Sequence, residues 1–282
     1  MTDLTGRICL VTGATRGIGR ATAEALARMG AQVLLHGRDS ASVGAVVREM
    51  VRYGQVTGVV GDLSSLAAVR KLAKEVAAQH PRLDVLVNNA GGGARRREIT
   101  VDGLERTFAV NHLAPFLLTN LLLERLKASS AGRVVTVSSM AHRSGKHDFD
   151  DLNWERRKYS TLGAYSASKL ANILFTTELA RRLGGSTVTA NSLHPGVVAT
   201  NIFNNSMGVT GRIFTVLFRP FLLSPAKGAL TSIYLASSPE VANVTGKFFD
   251  KCRETPTAPA AQDAAAASRL WEISERLTGL AT

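Results

Sequence analysis

Thr12-Gly13-Ala14-Thr15-Arg16-Gly17-Ile18-Gly19 is the stretch on which the fold of this chain turns. Immediately before it, Ile8-Cys9-Leu10-Val11 is short, apolar and β-branched at its end, the pattern of a buried parallel strand. After it, Ala21, Ala25, Leu26 and Met29 recur at helical spacing, and Gly30 stops the helix. Gln32 to His36 is again an apolar strand. The reading is a strand–turn–helix–strand unit with its glycines in the turn.

Glycines there have a mechanical purpose. The backbone turns sharply and leaves room for a pyrophosphate, with the helix N-terminus aimed at the negative charge. The spacing is G-x-x-x-G-x-G, one residue different from the common dinucleotide fingerprint, and its context between strand and helix supports a nucleotide site. Gly13, Thr15, Arg16, Gly17, Ile18 and Gly19 are its candidate residues. The end of the second strand bears on which nucleotide. An NAD site places an acid there for the ribose 2′-OH, and an NADP site supplies arginine for the 2′-phosphate. The chain reads His36-Gly37-Arg38-Asp39, so Arg38, with Arg16 from the turn, favours NADP(H) over NAD(H). The other reading has Arg38 paired with Asp39 or facing solvent.

The pattern repeats along the chain. Strands are expected at Val56–Val60, Leu83–Val87, Gly132–Val137, Thr187–Leu193 and Lys247–Asp250, about seven in all. They lead into Asp62-Leu63, Asn88-Asn89-Ala90-Gly91, Ser138-Ser139 and His194-Pro195-Gly196, at the sheet edge where open α/β folds bind ligands. A helix is expected from about Asp102 to Lys127, with Asn111 awkwardly inside it and Pro115 bending it. Tyr165-Ser166-Ala167-Ser168-Lys169 opens another helix and puts phenol and ammonium on one face, where a fixed lysine charge lowers the tyrosine pKa. Such a pair is a candidate proton donor and acceptor; the plainer alternative is one buried ring and one solvated charge. The apolar, Phe-rich stretch 197–223 reads as a substrate lid, and 251–282 as a C-terminal extension of the single domain 1–282.

The 282 residues are 45% hydrophobic and 20% charged, enough for one large α/β core. A net charge of +12 raises nucleic acid as a partner, but Arg95-Arg96-Arg97 and Arg156-Arg157-Lys158 lack interleaved stacking aromatics, so no nucleic-acid role is expected. Cys9 and Cys252 make no metal-ligand spacing, and no metal is expected. No apolar run reaches the roughly 18 residues of a membrane span, and the chain reads as cytoplasmic.

In this order, the motifs closely resemble the short-chain dehydrogenase/reductase family. Val110-Asn111-His112-Leu113, Ser138-Ser139-Met140-Ala141-His142 and Ser168-Lys169-Leu170-Ala171-Asn172 resemble its retinol dehydrogenase branch. The resemblance implies a Rossmann-type doubly wound parallel sheet and a catalytic tetrad of Asn111, Ser139, Tyr165 and Lys169. It implies hydride transfer between nicotinamide C4 and a carbonyl or carbinol carbon. Ser139 would hold the oxygen, Tyr165 exchange the proton, Lys169 bond the ribose, and the Asn111 carbonyl hold a relay water. Asp62, Leu63, Asn89, Ala90, Gly91, Pro195, Gly196, Val198 and Thr200 would line the cofactor. The apolar, Phe-rich insertion from Ile202 to Leu223 points to a small lipophilic carbonyl or alcohol as substrate, and the resemblance implies a homodimer or homotetramer as assembly. The alternative from another class is a regulator that binds NADPH without turnover.

Overall fold

The computed structural model describes residues 2–196 and 223–280. Seven strands fall where strands are expected, β1 (Ile8–Val11), β2 (Gln32–Gly37), β3 (Val56–Val60), β4 (Val85–Asn88), β5 (Arg133–Val137), β6 (Thr189–His194) and β7 (Phe248–Asp250), and a short, charged β8 (Arg253–Glu254) follows. They form one eight-stranded sheet in the order β3-β2-β1-β4-β5-β6-β7-β8, parallel except for β8. The expected seven strands are all there. The eighth is a two-residue return through Lys251 and Cys252, both at positive φ, as a tight two-residue hairpin requires. Central strands such as β1 and β4 are buried on both faces, and so carry Val and Leu without alternation.

Helices cover both faces. On one lie α1 (Gly17–Arg28), α2 (Ser40–Met50) and α8 (Pro225–Ser237), with Leu26, Val46 and Leu235 in a common core. The other carries α3 (Leu66–Gln79), α5 (Ala114–Leu121), α7 (Thr161–Arg182) and α9 (Ala264–Thr278), joined through Leu72, Phe116, Phe175 and Trp271. The strand order reverses between β1 and β4, which pair Val11 with Val87. The ends of these two strands therefore open the crevice in which doubly wound sheets bind ligands.

The expected helix over 102–127 is corrected in three places. Ile99 bridges to Glu105, and helix begins only at α4 (Arg106–Phe108). The buried Glu105 carboxylate sets that start by accepting from the Thr107 and Phe108 amides, each at 2.8 Å. Residues Ala109–Leu113 then form a π-helical turn. Pro115 has no N–H to offer the Asn111 carbonyl four residues back, so the ladder widens there rather than merely bending. Finally, Leu122 separates α5 from α6 (Leu123–Lys127).

Candidate active site

The glycine turn is held by a web of hydrogen bonds from neighbouring strand ends. The Thr12 hydroxyl donates to the Val87 carbonyl at 3.2 Å and accepts from the Asn89 and Ala90 amides at 2.9 and 3.0 Å. Asn89 in turn donates its side-chain amide to the Thr12 carbonyl at 2.7 Å and the Gly13 carbonyl at 3.3 Å. Its amide group clasps the turn, while the sequence had marked Asn89 only as a lining residue. Gly13 sits at φ +64 against Ala90, and a Cβ on Gly19 would lie 2.3 Å from Asn89 Nδ2 and 2.4 Å from the Gly13 oxygen. No side chain caps α1, whose first-turn amides face the crevice edge.

A residue that sequence reasoning passed over, His36, completes the web. Its Nδ1 accepts from the Gly13 amide at 3.2 Å, and its Nε2 lies 3.0 Å from the Gly61 carbonyl. An amide can only donate and a carbonyl only accept, so the ring carries its proton on Nε2. Burial lowers its pKa and keeps it neutral. The only signal in the sequence was a histidine at the end of an apolar strand.

Arg16 and Arg38 are both exposed. The Thr15 methyl packs where a Cβ on Gly37 would go, 2.5 Å away, so the residues preceding the two arginines are in contact. Asp39 does not pair with Arg38; its carboxylate accepts from the Ser42 amide at 2.7 Å and caps α2. Asp62 accepts from the Ser64 amide and hydroxyl at 3.0 and 2.9 Å. Partial burial pushes its pKa up, but these bonds and the Arg38 charge outweigh it and hold the carboxyl low. Leu63 turns into the core.

Asn111, Ser139, Tyr165 and Lys169 come together at the ends of β4 and β5. The π turn presents the fully buried Asn111 to the loop after β4. Its Oδ1 accepts from the Gly92 amide, and its Nδ2 donates to the Gly92 carbonyl, both at 2.9 Å, and to Ser168 Oγ at 2.8 Å. Gly91 lies between Asn111 and Lys169: a Cβ there would be 3.0 Å from Asn111 Oδ1 and 3.3 Å from Lys169 Nζ. Lys169, only 3% exposed, donates to the Val137 carbonyl at 2.9 Å. Burial lowers its pKa to about 8. Ser138 is spent structurally on the Lys169 carbonyl at 2.6 Å, which leaves the next serine for the site.

The expected effect of lysine on tyrosine is corrected here. Burial drives the Tyr165 pKa up, a hydrogen bond with the Ser139 hydroxyl works against it, and the net shift is upward. The ammonium lies 5.6 Å from the ring centroid and is engaged with Val137, so desolvation of the phenolate prevails over its charge. Gly196, at φ +81, follows Pro195 at the end of β6. Val198, Thr200 and the expected lid, apart from Leu223, lie outside the described residues.

The basic runs are partly neutralised: Arg97 meets Glu155 at 3.3 Å and Arg157 meets Asp148 and Asp151 at 3.6 and 3.4 Å. Among the described residues no group of three or more His, Cys, Asp or Glu could hold a metal ion. No helix among them is long and apolar enough to cross a membrane.

A tyrosine, serine and lysine gathered beside a phosphate-ready turn, at the switch point of a parallel sheet, make this an α/β oxidoreductase of the nucleotide-binding kind. The chain belongs to the short-chain dehydrogenase family, whose profile matches residues 7–208. Retinol dehydrogenase 14 of Homo sapiens is 46% identical to it, over 98% of this chain and 87% of that protein. A solved structure of an uncharacterised protein from Mycobacterium paratuberculosis superposes with a TM-score of 0.82 at 38% identity, covering 99% and 96% of the two chains. The RhlG/NADP active-site complex of Pseudomonas aeruginosa gives 0.70 at 30% identity, covering 88% and 95%. The protein is therefore an oxidoreductase acting between CH–OH and C=O.

Proposed function

We propose that this enzyme is NADP(H)-dependent and interconverts a carbonyl and an alcohol on a lipophilic small molecule, with Tyr165 as acid and base. The observation that carries the reading is the convergence of Tyr165, Ser139, Lys169 and Asn111 at the crevice mouth. The chain fits the cofactor: Gly13 and Gly19 let the turn close tightly against Ala90 and Asn89, where any side chain would clash, and the uncapped start of α1 offers amides to a pyrophosphate. When bound, the nicotinamide supplies the hydride. Residues Gly13 to Gly19 would hold its phosphates, Asp62, Leu63 and Asn89 to Gly91 its adenosine side, and Pro195, Gly196, Val198 and Thr200 its nicotinamide side. Arg38 and Arg16 would meet the 2′-phosphate, and the NADP of the RhlG complex supports that preference by kinship.

The residues' own chemistry follows from their placement. Ser139 holds the substrate oxygen where charge develops, and Tyr165 donates its proton to that oxygen. A raised tyrosine pKa suits donation: the phenol stays protonated until the alkoxide forms. Lys169, with a pKa of about 8, is charged at neutral pH and stabilises the phenolate left behind. The Asn111 carbonyl, which Pro115 four residues on cannot bond, would hold a relay water toward Lys169. A lipophilic substrate is inferred from the Phe-rich stretch 202–223 and from kinship with a retinol dehydrogenase.

The test is NADPH oxidation against a panel of retinal, medium-chain aldehydes, steroids and quinones. Tyr165→Phe should reduce turnover by about 100-fold or more. Full activity in that variant sinks the mechanism, and NADPH binding without turnover across the panel would leave a regulator instead.

A further inference from the structure

Ser139 is tied to the C-terminal extension through one ring. The backbone after β5 makes a 3-10 turn over Met140–Ser144, so that His142, fully buried, folds back under the serine. His142 Nδ1 lies 2.7 Å from the Ser139 carbonyl, which also accepts from the His142 amide at 3.1 Å. On the ring's far side, the Ala258 amide donates to Nε2 at 3.2 Å. An amide can only donate, so Nε2 is the bare nitrogen; the proton is on Nδ1, and it goes to the Ser139 carbonyl. The ring edge packs on Phe248 of β7 with centroids 5.0 Å apart. A second link joins the same two segments, Arg143 donating to the Pro256 carbonyl at 3.4 Å.

We propose that His142 is a positioning residue for Ser139, and that it makes the segment around Ala258 part of the reaction site. The Ala258 amide and the Ser139 carbonyl select the same ring tautomer, that tautomer donates to the Ser139 carbonyl, and this bond, with the Ala141 amide donating to Ser139 Oγ at 3.2 Å, fixes where the serine hydroxyl points. Without the Ala258 amide only the Ser139 carbonyl holds the ring in the Nδ1–H form, and the preference for the tautomer that donates to Ser139 is weakened. The inference rests on the reading of Ser139 as the group that holds the substrate oxygen.

Ala258 offers a clean substitution. Its backbone, φ −64 and ψ 153, already has the angles of proline, so Ala258→Pro deletes the N–H with little change of shape. We expect Ala258→Pro to lower kcat by about 3- to 10-fold, the worth of one neutral hydrogen bond, with NADPH binding unchanged. His142→Phe should lose at least as much, and the double variant should lose no more than His142→Phe alone. His142→Asn, which keeps a donor for the Ser139 carbonyl and has no tautomer for Ala258 to select, should retain more turnover than His142→Phe and be insensitive to Ala258→Pro. Nitrogen-15 NMR of the imidazole should show the Nδ1–H form in the wild type and a tautomer mixture in Ala258→Pro. Wild-type kcat in Ala258→Pro, an unchanged tautomer, or losses that multiply in the double variant would overturn the proposal. If His142→Phe fails to fold, Ala258→Pro decides alone. Failure of the underlying reading shows separately, as turnover retained in Tyr165→Phe.

Discussion

Lys169 opposes the fold that holds it. Burial brings its pKa from 10.5 to about 8, so the native state disfavours the charged form. The sign is then set: the penalty is complete below pH 8 and fades as pH rises toward 10.5, where the unfolded chain also gives up its proton. A shift of that size corresponds to roughly 3 kcal/mol. We predict that Lys169→Met abolishes turnover yet raises the thermal midpoint at pH 7 by several degrees, the gain shrinking above pH 10. The Val137 carbonyl would keep the Asn172 amide at 3.2 Å, so little is left unpaired. Calorimetry at pH 7 and pH 10.5 checks both halves, and a lowered midpoint at pH 7 would contradict the account. Arg38 gives a prediction of the opposite kind, about preference and not stability. Arg38→Asp should weaken NADPH by about 100-fold, the scale of a lost charge-assisted contact plus a new repulsion, and bring NADH level with it. Unchanged cofactor ratios in steady-state kinetics would make Arg38 a surface charge.

Among the elements, the strand–turn–helix unit was legible because its signals are local: an apolar run, glycines whose φ is positive, a periodic helix. Tyr165 and Lys169 were legible for the same reason, since helical spacing alone puts them on one face. The start of α4 was not. Glu105 caps it while accepting from the Tyr159 hydroxyl at 3.1 Å, a partner supplied by tertiary packing. In α9 the inward face runs through Leu270, Trp271 and Ser274 to Thr278, and Leu277 stays 37% exposed. Trp271 docks this helix, edge-on to Phe116 at 4.9 Å and stacked with Phe175 at 5.9 Å, with Arg182 over its ring at 4.4 Å. Truncation there leaves a large cavity between α5, α7 and α9. We predict that Trp271→Ala costs about 3–5 kcal/mol, read as a drop in the denaturant midpoint with the slope unchanged. A loss under about 1 kcal/mol would mean the helix docks by other contacts.

Across the whole molecule, the sheet has a working end and an anchoring end. At the anchoring end the buried Asp84 side chain accepts from Ser129 Oγ at 2.7 Å, the Ile8 amide at 2.8 Å, Arg7 at 2.9 Å and Arg82 at 3.2 Å. Burial pushes its pKa up, but these bonds prevail and hold it low. A depressed carboxyl contributes stability that is present above its unfolded value and lost as pH falls through the folded one. Asp84→Asn should therefore cost about 3 kcal/mol at pH 7 and progressively less below pH 4. Acid titrations of unfolding that ran parallel for the two proteins would exclude it. The working end divides differently. His36 bonds the glycine turn to the end of β3 from inside the sheet, whereas Arg38, two residues on, stands in solvent beyond that web. On the proposed reading, the joint that shapes the dinucleotide turn and the side chain proposed to select the dinucleotide are thus separate parts. A single substitution at that rim is expected to change which reducing currency the enzyme draws on, without disturbing the joint beneath.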